Sequence, residues 1–293
     1  MKNPLLKSSS ILKSDSILLV AAVIWGFGFV AQKEGMNHVG PYTFNALRFA
    51  MGAIVVLLVA LIKDRKKLSK ITKKDLSKGL LAGLILFLAS TFQQVGLIYT
   101  TAGSGGFISG IYVVIVPALG FLMWKQKIGK LSILGVILAI VGLYFLSINS
   151  EIQIKHGDLL ILVSAFLWAY YVLLIGRFAP KMSAFVLAMI QFSFCSFFSF
   201  IMVFLRETLF ITSIVSSSYS LLYSGILSVG IAFTLQTVGQ KKSPPTHAAI
   251  IMSFEALFAV IGGWLILSEP ITVRILIGCT FMLCGMFLSQ SRK

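Results

Sequence analysis

Gln93-Gln94-Val95-Gly96 recurs as Gln236-Thr237-Val238-Gly239, 143 positions further along the chain. The same offset relates Trp25 to Trp168, Gly120 to Gly263, Gly135 to Gly278 and Gly142 to Gly285. An offset held over that much sequence marks one unit written twice, and such a repeat decides the architecture. Each copy carries five long apolar stretches. Five is odd, so in a membrane the second copy enters from the side opposite the first, the inverted arrangement found in alternating-access transporters. The two units are residues 1–150 and 151–293.

Composition requires lipid. With 58% hydrophobic and 12% charged residues and a mean hydropathy of +0.96, a soluble fold would expose more apolar surface than water tolerates. Ten stretches qualify as spans: Ile17 to Ala31, Tyr42 to Ile62, Gly79 to Ile98, Gly103 to Trp124, Leu131 to Ile148, Leu159 to Gly176, Ala184 to Leu205, Tyr219 to Gly239, Ala248 to Leu267 and Ile275 to Leu288. Most approach the roughly 20 residues a helix needs to cross hydrocarbon. Helices are required because lipid offers no partner to an exposed amide, and the alternation of a barrel strand is absent. The first span follows Lys2, Lys7 and Lys13 but ends in Gln32-Lys33-Glu34 with no small-residue cleavage site, which predicts a retained helix.

A net charge of +16 would suggest nucleic acid in a soluble protein. Its distribution explains it otherwise. With the amino terminus in the cytoplasm, the tails and even-numbered connections hold 20 of the 25 Lys and Arg, and the opposite side holds Lys33, Lys155, Arg206 and Arg274. That asymmetry predicts both termini inside a cytoplasmic (inner) membrane and needs no polyanionic partner. A rival reading has the basic 63 to 78 connection bind anionic lipid or a soluble partner.

Connections are short, which excludes a soluble catalytic domain. No Gly-rich phosphate loop precedes a Lys-Ser or Lys-Thr pair, so this polypeptide does not hydrolyse ATP. Cys195, Cys279 and Cys284 fall within spans without metal spacing and read as packing residues. Neither cofactor nor metal is expected. The heptad-spaced Gly135 and Gly142, and Gly278 and Gly285, predict close packing of the fifth and tenth helices, either against the bundle or across a homodimer. Gly79 with Gly83, and Gly106 with Gly110, offer the same geometry inside the fold.

The other eight spans are more polar and predict the substrate path. The fourth and ninth open irregularly, with Thr100 to Gly106 and Ser243-Pro244-Pro245-Thr246-His247. These openings are either helix N-termini suited to anionic groups or tight turns. Arg48 is the basic residue well inside a span and Glu255 the acid near the middle of one. Each costs at least about 2.5 to 3.5 kcal/mol in hydrocarbon on insertion scales, so each must face a cavity or a partner. Gln93 and its repeat mate Gln236, with Gln94, Gln191 and Asn45, bring amides able to donate and accept, either to substrate or between helices. Trp25 and Trp168 lie inside spans and either line a cavity or fill a core. Tyr112 occupies the position equivalent to Glu255, so the two are candidates for opposing parts of one site. His247 adds a side chain able to titrate near neutrality, or a helix cap.

Three stretches carry a resemblance. Ala22-Val23-Ile24-Trp25-Gly26-Phe27-Gly28-Phe29-Val30, Phe44-Asn45-Ala46-Leu47-Arg48-Phe49, and Ser253-Phe254-Glu255-Ala256-Leu257-Phe258-Ala259 running into Gly263 to Pro270 resemble the EamA branch of the drug/metabolite transporter superfamily. The resemblance implies a basket of ten helices in two inverted five-helix repeats, its cavity lined by the first four helices of each. It implies secondary transport of amino acids, nucleotide sugars or related metabolites, often outward, with Arg48, Glu255 and Trp25 on recurrent family positions. Where the second repeat has Leu267-Ser268-Glu269, the first has Trp124-Lys125-Gln126, which departs from relatives with an acid in both places.

Together these readings predict a multi-pass secondary transporter of a small polar or amphipathic metabolite, foremost an amino acid, rather than an enzyme. A lipid flippase or scramblase is the alternative, and a membrane-embedded transferase is disfavoured by the scatter of His38, His156 and His247 over both sides.

Overall fold

The computed structural model describes residues 4–99, 102–125, 129–147, 156–267 and 272–290, and every regular element among them is helical. Seven helical stretches are long and apolar enough to cross a membrane: Leu12–Gly35, Pro41–Lys63, Lys73–Tyr99, His156–Lys181, Ala184–Arg206, Ser218–Gly239 and Pro245–Ile266. Shorter apolar helices at Ile108–Trp124, Ile133–Gly142 and Leu276–Gly285 stand where the sequence predicts the fourth, fifth and tenth spans. The chain is an all-helical, multi-pass membrane protein, the form that satisfies each backbone amide within its own segment.

In chain order the helices are α1 (Pro4–Gly35), α2 (Pro41–Lys63), the short α3 (Arg65–Leu68), α4 (Lys73–Tyr99), α5 (Ala102–Gly110), α6 (Tyr112–Trp124), α7 (Lys130–Ser147), α8 (His156–Phe178) and α9 (Ala184–Arg206). Then come α10 (Ile211–Ser216), α11 (Ser218–Leu222), a π-helical run over Tyr223–Phe233, α12 (Thr234–Gly239), α13 (Pro245–Met252), α14 (Glu255–Leu267) and α15 (Val273–Gln290). α1 continues past the polar Gln32-Lys33-Glu34 because those side chains find partners. Gln32 Nε2 donates to the Gly28 carbonyl at 3.1 Å and Lys33 Nζ to the Leu97 carbonyl at 2.7 Å.

The ninth span opens as the sequence predicts, with a turn before the paired prolines and the helix starting at Pro245. Both the fourth and the ninth spans also break in mid-span, where the sequence reading places no irregularity, between α5 and α6 and between α13 and α14. The Ile111 amide bonds to the Ile108 carbonyl at 3.2 Å and the Phe254 amide to the Ile251 carbonyl at 3.3 Å, a three-residue reach rather than the four of an α-helix. Ile111 and Phe254 are 143 positions apart. At the second break the Ser253 hydroxyl donates to the Ile250 carbonyl at 2.8 Å, competing with the helical ladder. At the first, Gly110 weakens the helix and Pro117 removes an amide about two turns on. Thr100, Thr101, Gln126, Ser268 and Glu269 lie outside the described residues.

Glycines set the closest helix contacts. A Cβ on Gly285 would lie 2.7 Å from the Gly135 carbonyl, so α15 and α7 meet backbone to backbone within one chain. A homodimer through these helices would therefore use their other faces. A Cβ on Gly83 would lie 2.7 Å from the Gln191 carbonyl, and one on Gly79 would overlap Ile190, which brings α4 against α9. α2 starts under a cap supplied from far along the chain. The Glu207 carboxylate accepts from the Tyr42 amide at 2.9 Å, the Thr43 amide at 2.8 Å and the Thr43 hydroxyl at 2.6 Å.

Two large apolar cores result, with two smaller clusters around Leu97 and Phe44. One gathers Leu18, Val113, Leu173 and Ile250 from α1, α6, α8 and α13, and the other gathers Phe49, Leu86, Tyr171 and Phe192 from α2, α4, α8 and α9. Trp25 and Trp168 pack against both. The seam between the cores holds a polar hollow.

Candidate functional site

At that seam lies a hollow of about 50 Å³. α1 presents Trp25, Phe29 and Gln32 to it, spaced by four and three residues so that they share one helix face. Arg48 enters from α2, Gln93 from α4, Tyr112 from α6, and Trp168 with Val172 from α8. Ser228 and Phe233 come from the π-helical run, Gln236 from α12, Met252 from α13 and Glu255 from α14. Tyr112 and Glu255 are each the first residue after a mid-span break, so the breaks deliver both to the hollow.

The two tryptophans are oriented by hydrogen bonds. Trp168 Nε1 donates to Gln93 Oε1 at 2.6 Å, and Trp25 Nε1 donates to the Ser228 carbonyl at 3.3 Å. Phe233 is the hub of the aromatic wall. Its ring centroid lies 4.7 Å from that of Trp25, 5.7 Å from Trp168, 6.1 Å from Tyr171 and Phe192, and 6.2 Å from Phe49. Such tilted and offset pairs suit ring quadrupoles and hold the wall rigid.

Two ionisable side chains face this space. The Arg48 side chain, 3% exposed, places Cζ 5.0 Å from the Phe49 ring centroid and 5.7 Å from that of Phe44. Aromatic faces offset part of the cost of burying the guanidinium. Glu255 opens α14, where the positive end of the helix dipole favours a carboxylate. Among the described residues neither Arg48 nor Glu255 has an ion-pair partner. Both are therefore available to a polar molecule in the hollow.

Of the residues singled out by sequence, Trp25, Arg48, Gln93, Tyr112, Trp168, Gln236 and Glu255 meet here. Asn45, Gln94 and Gln191 do not line the hollow. They are fully buried on α2, α4 and α9, helices that pack against one another through the second core. His247 is also elsewhere: its Nε2 lies 2.9 Å from Asp15 Oδ1, and both side chains are buried where α13 meets α1. Beside them Ser14 Oγ donates to the Gly239 carbonyl at 2.5 Å. Phe29, Gln32, Val172, Ser228, Phe233 and Met252 were not singled out. Phe29 and Gln32 follow from extending the Trp25 face through the end of α1. Ser228 and Phe233 are five residues apart, on different sides of an α-helix but on one side of a π-helix, whose bonds span five residues.

The family model for EamA-like transporters matches the chain twice, over residues 12–148 and 155–290. The chain belongs to this family. Among curated relatives, an uncharacterized transporter of Archaeoglobus fulgidus is 31% identical over 286 residues, covering 96% of this chain and 87% of that protein. The uncharacterized transporter YetK of Bacillus subtilis is 28% identical, covering 94% and 86%. A solved chain titled "Crystal structure of protein" superposes with a TM-score of 0.79 at 17% identity, covering 94% of this chain and 96% of its own, a likeness of fold. EamA membership makes the protein a membrane transporter, with a small-molecule substrate and a lipid environment.

Proposed function

We propose that the chain is a secondary active transporter that moves a small polar or amphipathic metabolite, foremost an amino acid or related compound, outward across the cytoplasmic membrane by alternating access. In this reading ten spans form two inverted five-helix halves, residues 1–150 and 151–293, with both termini in the cytoplasm. One observation carries it. Three pairs of repeat-equivalent residues, Trp25 with Trp168, Gln93 with Gln236 and Tyr112 with Glu255, each 143 positions apart, line the same hollow. A site built from matching positions of oppositely oriented copies has two related conformations, open to opposite faces.

The hollow has room for about four water molecules, at about 10–15 Å³ each, so a metabolite enters only when the halves rock apart. Gln93, Gln236, Tyr112 and Trp168 contact the substrate through amide, hydroxyl and ring. Arg48 holds its carboxylate, and the amides serve the ammonium and any polar side chain without a further buried charge. Glu255 exchanges the proton that couples transport to a gradient.

Labelled amino acids exchanged across proteoliposomes test this. Gln93→Ala and Gln236→Ala should each reduce exchange by about tenfold or more, the loss of a buried hydrogen-bonding partner. Wild-type rates in both variants would remove the hollow as the site. Glu255→Gln should abolish pH-gradient-driven uptake while leaving exchange intact, and full gradient-driven uptake in that variant would end the proton assignment. Labelled lipids in the same vesicles decide against a flippase if they stay in their leaflet.

A further inference from the structure

A second concavity, of about 340 Å³, lies at the end of the bundle where α2 gives way to α4 and α8 turns into α9. Lys66, Lys67, Lys70 and Lys181 surround it together with one carboxylate, Asp75, and Ser183, and Ile71, Met182 and Val186 form its apolar wall. Two distant segments are locked together to build it. Asp64, just past α2, accepts hydrogen bonds from Lys67 Nζ at 2.7 Å and from the Ser183 hydroxyl, and Ser183 caps α9 by accepting from the Val186 amide at 3.5 Å. Lys181 is thereby held opposite the 65–70 segment.

The nearby acids are already engaged. Asp64 serves Lys67 and Ser183, and Asp75 accepts from the Thr72 amide and hydroxyl and from Lys78. Among the described residues Lys66, Lys70 and Lys181 have no carboxylate within ion-pair distance. Like charge is crowded as well. Burial and then the charge of Lys67 pull Lys241 below the usual lysine range, with Asp64 opposing. Ile62 at the end of α2 and Leu76 in the first turns of α4 are exposed, 84% and 47%, where the flanking spans leave the hydrocarbon.

We propose that this groove is a binding site for the headgroup of an anionic phospholipid, with Lys66, Lys70 and Lys181 on the phosphate and Ile71, Met182 and Val186 against the first carbons of the acyl chains. A free phosphate would use the lysines but not the apolar wall, and the exposed apolar Ile62 and Leu76 stand at the ends of the two flanking apolar helices. That decides for the lipid. The site lies apart from the central hollow and follows from the chain being a membrane protein, whatever the hollow carries.

Native mass spectrometry of the full-length protein in detergent tests it, with phosphatidylglycerol and phosphatidylcholine of identical chains as probes. A lysine beside an anionic headgroup is worth roughly fivefold in binding, so three predict a preference for phosphatidylglycerol of at least about tenfold after screening. Lys66→Gln/Lys70→Gln/Lys181→Gln should bring the two lipids to within about twofold. Lys73→Gln/Lys74→Gln/Lys242→Gln removes the same charge outside the groove and should keep the preference. Equal loss in both variants would reduce the effect to general surface charge, and retention in the first would place the lipid elsewhere. Displacement of bound lipid by millimolar inorganic phosphate would reassign the groove to a soluble anion. Each of these three outcomes overturns the proposal.

Discussion

The cap that Glu207 places on α2 offers a quantitative test of the fold, because Gly40 and Glu207 depend on each other. The carboxylate takes two helix-end amides and one hydroxyl. It reaches them only because Gly40 has no side chain: a Cβ there would overlap the carboxylate. A side-chain cap is worth about 1 kcal/mol, an anion at a helix N-terminus up to about 1 kcal/mol more when partly shielded, and the Thr43 hydroxyl bond about 0.5 kcal/mol. Glu207→Ala should therefore cost about 2–3 kcal/mol, and Gly40→Ala about 2 kcal/mol by expelling the same carboxylate. The double variant should lose about 2–3 kcal/mol, not the roughly 4–5 kcal/mol of the sum, because both changes break one interaction. Thermal unfolding of the purified protein in detergent, followed by tryptophan fluorescence, reads this as a fall of about 4–8 °C for each single variant. Additive losses in the double variant, or a Glu207→Ala protein that melts with wild type, would refute the cap.

Three further perturbations follow from the packing and the loops. Asp64 is held below the usual carboxylate range: burial pushes it up, but bonds from Lys67 and Ser183 and the charges of Lys67 and Lys241 outweigh that. A depressed carboxylate contributes stability above its unfolded value near about 3.9 and loses it as pH falls through its folded value. Asp64→Asn should thus melt below wild type at neutral pH, and the gap should close in a melting series taken down toward about pH 3. Gly285→Val sets a branched side chain against the Gly135 backbone and should cost about 1–3 kcal/mol by overpacking, seen as a lower melting temperature, with Gly285→Ala intermediate. Trp168→Phe removes the donor to Gln93 Oε1. It should weaken substrate affinity in proteoliposome exchange severalfold, because the amide loses its orientation, with a stability loss of about 1–3 kcal/mol; unchanged affinity would show that Gln93 is positioned by other contacts.

Much of this was legible in the chain because lipid penalises exceptions. A long apolar run announces a helix, and a lone Arg48 or Glu255 within one announces a cavity, since each is too costly to leave facing acyl chains. The repeat offset then drew Trp25, Trp168, Gln93, Gln236, Tyr112 and Glu255 into one set, and all six line the hollow. Asn45, Gln94 and Gln191 carry the same amide signal but point into helix contacts, and composition cannot distinguish a wet face from a packed one. The role of His247 depends on Asp15, 232 residues away in the chain, which no local sequence pattern places beside it. The breaks at Ile111 and Ser253 to Phe254 depend on local hydrogen-bond choices that Gly110 and Ser253 permit without requiring. The Gly40 and Glu207 cap needs two loops to meet, which no local pattern records.

Tyr223–Phe233 winds its backbone more widely than the helices on either side. Rewinding that stretch to the tighter coil would exchange one set of carbonyl acceptors for another and would have to release Trp25 from the Ser228 carbonyl and Tyr223 from the Ile24 carbonyl. Each residue taken back into the tighter coil turns everything beyond it by roughly 18°, the difference between about 100° per residue in an α-helix and about 82° in a π-helix. Phe233 would leave the five rings that now enclose it, and Gln236 would be carried round the axis with it. Such a stretch would work as a gear: a trade of acceptors along its length would be delivered as rotation of the wall beyond it.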